Sequence, residues 1–142
     1  MNVSRKDIYS YVATLFTSVT TNIFRGEAPK SLGGTCATAG FMVLRLNELR
    51  DESEFDMEAY GRVRMNVEFY VPSVKTSNAG GVMNTSKFDD AQSAIDAIVS
   101  AECNKRNQTY TISRDGILSF DDFYSNSANT FHVYITSFII TI

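Results

Sequence analysis

Few residues in this chain have the type and spacing that do chemistry. His132 is the one histidine, and it lies inside an apolar run. A catalytic role would require a nucleophile or carboxylate beside it, which no local motif supplies. One histidine also rules out zinc motifs built on two. Asp121-Asp122 sits between Phe120 and Phe123. Two adjacent carboxylates fall short of a calcium loop and read as solvated turn residues. Gly33-Gly34 and Gly80-Gly81 lack the following residues of a phosphate cradle, so both read as turns. Cys36 and Cys103 stand in no metal-ligand spacing and are expected to be small buried hydrophobes in a reducing cytoplasm. These observations give no catalytic residue, no metal site and no cofactor.

What remains is a surface. In the run 60–71, Val63, Met65, Val67, Phe69 and Val71 alternate with Arg62, Arg64, Asn66, Glu68 and Tyr70. Side chains alternate across a strand with period two, so this is a long strand with one buried and one polar face. Arginines interleaved with an aromatic could form a weak nucleic-acid surface, but Glu68 interrupts the row. An exposed sheet face making ionic contacts with a partner is the better expectation.

The elements that position this strand follow from periodicity. Ser4, with Asp7 three residues on, is a helix start. Ile8, Val12, Leu15, Phe16, Val19 and Ile23 recur at helical spacing, and the helix is expected to end near Thr20. A short strand follows over 23–27, then a loop over 30–35, then a strand over 38–49. Residues 72–85 read as a flexible connection. Ser86 is expected to cap a second helix whose stripe is Phe88, Ala91, Ile95, Ile98 and Val99. Asp115-Gly116 signals a hairpin joining strands over 109–113 and 117–124. A polar turn at 125–129 leads to a last strand, 130–142. That strand is apolar on both faces, which predicts burial on both. The order α-β-β-β-α-β-β-β gives an α+β fold, a mostly antiparallel β-sheet with two amphipathic helices on it.

The 142 residues fit one domain, 1–142, with no repeat or linker to divide it. Lys and Arg total 13 against 16 Asp and Glu, a net charge of −3 that advertises no nucleic-acid field. The segment 48–58 holds six acidic residues against Arg50 alone, a local balance of −5, and is expected to be a solvated connection. The N-terminus lacks the apolar core of a signal peptide, and no apolar run approaches the roughly 20 residues that span a bilayer.

In pattern the chain resembles the tail-terminator (tail-completion) proteins of long-tailed bacteriophages. The resemblance rests on the helix 8–19 ahead of Ile23-Phe-Arg-Gly-Glu-Ala-Pro29, and on the strand Gly40-Phe-Met-Val-Leu-Arg-Leu46 before the long strand 62–71. The helix Phe88-Asp-Asp-Ala-Gln-Ser-Ala-Ile-Asp-Ala-Ile98 and the terminal strand Phe131-His-Val-Tyr-Ile-Thr-Ser-Phe138 complete it. It covers nearly the whole chain but includes no signature motif, and the acidic segment departs from it.

The resemblance implies a non-enzymatic structural virion protein. Its copies would form a ring, expected to be hexameric, that ends the tail tube and joins it to the head. The implied partners are a second copy, the tail tube protein and the head-neck connector protein. DNA would pass through the lumen without specific binding, and no membrane is involved. Assembly would take place in the host cytoplasm. Arg62, Arg64, Glu68, Tyr70, Tyr134, Phe138 and Ile140 are candidate subunit-interface residues. Asp51, Glu52, Glu54, Asp56 and Glu58 are candidates for a lumen or ring contact. Neck proteins, tail-tube subunits and tube-like bacterial injection components of related fold remain open. So does a small-ligand or enzyme module using Tyr110, His132 and Tyr134.

Overall fold

A computed structural model of the chain describes residues 5–32, 34–51, 61–76, 79–102, 110–114, 120–126 and 129–141. Ser4, Cys103, residues 52–60 and the Asp115-Gly116 pair lie outside them. The fold is α+β, with a mixed, mainly antiparallel sheet and a few helices.

α1 (Arg5–Phe16) presents Ile8, Val12 and Phe16 to the core. Twelve residues are marginal for an isolated helix. Burial of three such side chains, worth about 1.5–3 kcal/mol each, holds it in place. It ends four residues before the expected Thr20. The amides of Val19 and Thr20 both turn back onto the Phe16 carbonyl. Threonine hydroxyls at 14, 17 and 20 bond nearby backbone, and such local bonds compete with helix continuation.

The strands β1 (Ile23–Arg25), β2 (Phe41–Asp51), β3 (Gly61–Pro72) and β8 (Asn129–Thr141) are neighbours in that order. β1 runs parallel to β2; the other neighbours are antiparallel. Between β1 and β2 lies the one-turn helix α2 (Thr35–Ala39), where the sequence read first a loop and then strand. Between β3 and α3 (Thr85–Glu102), the expected flexible connection holds a small hairpin, β4 (Val74–Thr76) paired with β5 (Ala79–Val82). The cap of α3 is Asn84 rather than Ser86. The Asn84 side-chain oxygen accepts the Lys87 amide, leaving Ser86 inside the first turn.

The Asp-Gly hairpin expectation is corrected. β6 (Thr111–Arg114) pairs with the C-terminal end of β8, and β7 (Phe120–Asn126) pairs with its N-terminal end. The register advances in one direction, from Thr111↔Thr141 to Asn126↔Asn129, so β6 and β7 are one interrupted edge strand. The true reversal joins β7 to β8.

α1 and α3 cover one face of the sheet. Phe88, Ile95 and Val99 of α3 join the α1 residues over Met42, Leu44, Met65, Val67, Phe138 and Ile140. A second, aromatic cluster lies on the opposite face: Phe41, Val43, Tyr70, Phe131, Val133 and Ile135. The register of β2 on β3 shifts between Leu46 and Glu48, so the chain skips Asn47 and Leu49 lines up with Val63. A bulge of this kind switches which residues share a face. It puts Leu49 in register with the apolar row of β3, where strict alternation would have put it with Arg45.

Gly40 leads into β2 with φ 89° and ψ 178°, a conformation essentially reserved for glycine. A Cβ there would lie 2.3 Å from the Tyr70 carbonyl oxygen. Gly26 also has positive φ (93°) but has open space around it. Gly26→Ala is therefore expected to cost about 1–3 kcal/mol for backbone strain alone. Gly40→Ala should cost distinctly more in urea unfolding, because a backbone oxygen must also move.

Candidate functional site

Where β1 leaves the sheet, its ladder ends in an unusual way. The Met42 amide donates to the Asn22 carbonyl, and the Gly26 amide donates to the Leu44 carbonyl. The next rung of a parallel ladder would run from the Leu46 amide to the Gly26 carbonyl. Both groups take side-chain partners instead. The Leu46 amide donates to the Tyr9 hydroxyl at 3.1 Å, and the Gly26 carbonyl accepts from the Arg45 guanidinium. Backbone groups left unpaired in a partly buried place are costly, and these two residues remove that cost.

Arg45 then continues into the second face. Its Nε donates to Glu68 Oε2 at 2.7 Å, and the Tyr70 hydroxyl donates to Glu68 Oε1 at 2.9 Å. The Glu68 side chain is only 10% exposed, against 37% for Arg45. Burial acts to lower the Arg45 pKa, but the Glu68 charge and the contacts with Glu68 and Tyr70 outweigh it, and the value is raised. Burial, and then the Glu68 charge, push the Tyr70 phenol well above its ordinary value. Around this network stand aromatic rings: Phe41 stacks on Tyr70 at 4.4 Å, and Phe131 and Tyr124 meet them edge-on.

The expected partner-binding face is therefore largely internal. Glu68 and Tyr70 are 7% and 5% exposed, covered by the chain before β2 and by β7. That cover is built from Tyr124 of β7 and from Ala28, Leu32 and Cys36, spaced four apart in a run that Pro29 and Gly33-Gly34 keep from reading as a helix. Arg64 is half-buried in register between Glu48 and Ile139; Arg62 is placed by register alone, between Arg50 and Thr141. Tyr134, Phe138 and Ile140 lie on the other side of the sheet, beneath the helices, and are fully buried. The seven candidate interface residues thus divide between two faces, and five of them contact the protein's own interior. Asp51 is the last residue of β2, opposite Gly61. Glu52, Glu54, Asp56 and Glu58 lie outside the described residues.

Tyr110, His132 and Tyr134 go to separate partners. Tyr110 stacks on Tyr11 at 4.6 Å, and the Tyr134 hydroxyl donates to Asp96 at 2.6 Å. His132 Nδ1 is 2.8 Å from the Ser73 hydroxyl. Ser73, 59 positions away, carried no sequence signal. Asp121 and Asp122 lie within β7, in register with Tyr134 and Val133, rather than in a turn. Cys36 is a half-buried free thiol. Among the described residues, no three His, Cys, Asp or Glu are placed to hold a metal ion, and no helix is long and apolar enough to cross a membrane.

An open cleft of about 350 Å³ lies over the sheet between the end of α1 and α3. Val19, Ala39, Phe69, Val71, Ala91 and Ala94 make it mostly apolar, with Ser18, Lys87 and Asp90 as its polar lining. None of Tyr110, His132 and Tyr134 is among these residues. No protein-family model matches the sequence, and no curated protein matches it.

The Tyr70 phenol has a pH consequence. Its folded-state pKa is raised, so the folded protein holds this proton more tightly than the unfolded chain. The resulting stability is fully present below the ordinary pKa of 10.0 and is lost as pH rises beyond it. Tyr70→Phe is expected to lose about 1.5–3 kcal/mol at neutral pH, the scale of a hydrogen bond to a charged group. Its stability should then fall less steeply than the wild type's above pH 10, as read by urea unfolding across that range.

Proposed function

We propose that the protein is a structural virion subunit whose copies form a ring, hexameric by expectation, that ends a phage tail tube and joins it to the head. The observation that carries this reading is the pair of unlike sheet edges. β1 covers only Met42–Leu44 of β2, and among the described residues Glu48–Asp51 pair with β3 alone. On the far side, β6 and β7 pair with β8 alone. A head-to-tail interface joins two different surfaces and closes into a ring when the rotation allows. Open edges are where strands of separate chains meet. The exposed register pair Val74 and Val82, on the β4–β5 hairpin, adds an apolar contact.

The element order supports the same reading. Setting aside the one-turn α2 and the small β4–β5 hairpin leaves α-β-β-β-α-β-β-β, the order of a tail-terminator-like single domain. The buried positions of Glu68, Tyr70, Tyr134, Phe138 and Ile140 move the proposed contacts to the edges and the hairpin. In this reading DNA passes through the ring without specific binding, the neighbours are a tube protein and a neck protein, and the protein performs no catalysis. The cleft between α1 and α3 favours the second reading, a small-ligand module, since its volume reaches the lower end of ligand pockets, roughly 300 Å³.

The mass of the purified protein by light scattering, with negative-stain images of the eluted peak, separates the two. A ring is expected. A monomer that also fails to add to purified tubes, and that is thermally stabilised by a small ligand, would replace the first reading with the second. Lysine substitutions at Asp51, Glu52, Glu54, Asp56 and Glu58 should leave the folding midpoint close to wild type while impairing head–tail joining. Undiminished infectivity would remove the acidic segment from the mechanism.

A further inference from the structure

The segment 26–40 runs over the second face of the sheet and covers its aromatic row. Ala28, Leu32 and Cys36 pack on the cluster that contains Phe41, Tyr70 and Phe131. The cover is thin. Its three packing residues are all only half-buried, whereas Phe41 and Phe131 beneath are fully buried. Its one helix, α2, is five residues long and has no stability of its own. No described residue between 27 and 39 belongs to a strand.

Both ends of the segment are glycines at positive φ, 93° at Gly26 and 89° at Gly40. Each end is also tethered by a side chain from the sheet side. The Arg45 guanidinium holds the Gly26 carbonyl, and the Asn22 amide holds the Gly40 carbonyl at 3.2 Å and the Thr35 hydroxyl at 3.0 Å. A segment whose packing residues are half-buried, with glycine ends and a side-chain tether at each end, has the construction of a unit that opens by itself.

We propose that residues 26–40 form a strap that opens as one unit while the sheet stays folded, with Asn22 and Arg45 latching its ends. Opening exposes Phe41, Tyr70 and Phe131, so the strap governs whether this aromatic row is presented or hidden. Asn22 is a latch alone. Arg45 also neutralises Glu68, so its loss loosens the strap and strains the face beneath. The strap does not depend on ring formation.

Native-state hydrogen exchange on the intact protein, resolved by peptide, tests this. In the wild type, amides of 26–40 are expected to exchange through a shared opening, with protection at least about tenfold below that of 63–71, the scale of sub-global openings. Asn22→Ala removes the side-chain bonds to Gly40 and Thr35 and should lower protection of 26–40 by a further factor of about ten or more, leaving 63–71 and 88–99 unchanged. The thiol of Cys36, one of the strap's own packing residues, should label faster in step with it. Equal protection of 26–40 and 63–71 in the wild type would overturn the proposal. So would an Asn22→Ala variant that loses protection evenly everywhere, since the segment would then open only with the whole protein.

Discussion

The whole arrangement depends on one constraint: over 41–44, 67–71 and 133–135, β2, β3 and β8 are covered on both faces. A sheet with one wet face can carry charges there at no cost. A sheet covered twice must pair every charge it retains, because an unpaired ion away from water costs several kcal/mol. Glu68 is that charge, near the middle of β3. Its two oxygens take Arg45 from the neighbouring strand and Tyr70 from its own, so the carboxylate is satisfied on the spot. Arg45 spends its other end on the Gly26 carbonyl, which fixes where the chain leaves β1 and begins to cross the second face. Electrostatic pairing, the end of the β1 ladder and the position of the cover are therefore one problem with one solution.

The helix face is simpler. It is an aliphatic and aromatic layer in which two tyrosine hydroxyls tie helix to strand: Tyr134 of β8 donates to Asp96 of α3, and Tyr9 of α1 accepts the Leu46 amide of β2. Small residues, Ala39, Ala91 and Ala94, leave the cleft between the helices partly open. The two faces thus differ in kind. One is packed by regular helices, the other by an irregular segment held at its ends. Any assembly must work around both, which is why the sheet edges and the β4–β5 hairpin with its exposed Val74 and Val82 carry the proposed contacts.

Much of this was legible in residues. The run 62–71 announces a strand because period-two alternation survives burial, and the double-sided apolarity of 130–142 announces a strand covered twice. Four things were hidden. The polarity of Arg64, Asn66, Glu68 and Tyr70 looks like solvent exposure, because a satisfied buried carboxylate and an exposed one have the same sequence. The cover spaces Ala28, Leu32 and Cys36 four apart, but Pro29 and the paired glycines interrupt that spacing, so it does not read as the packed face of a helix. Asp115-Gly116 has the chemistry of a tight hairpin, but the register keeps the chain moving the same way along β8, so long-range pairing overrode local preference. The contact of His132 with Ser73 was also out of reach, since it joins positions far apart in sequence.

The central claim is that Arg45 and Glu68 act as an interior pair rather than a surface one, and a double-mutant cycle measures that most directly. Urea unfolding of wild type, Arg45→Met, Glu68→Gln and the double variant gives their coupling free energy. Exposed ion pairs typically give roughly 0.2–1 kcal/mol. The interior arrangement predicts a coupling above about 1 kcal/mol, with each single variant less stable than additivity with the double would require. A coupling near zero would mean that the face is solvated and that the strap does not cover it.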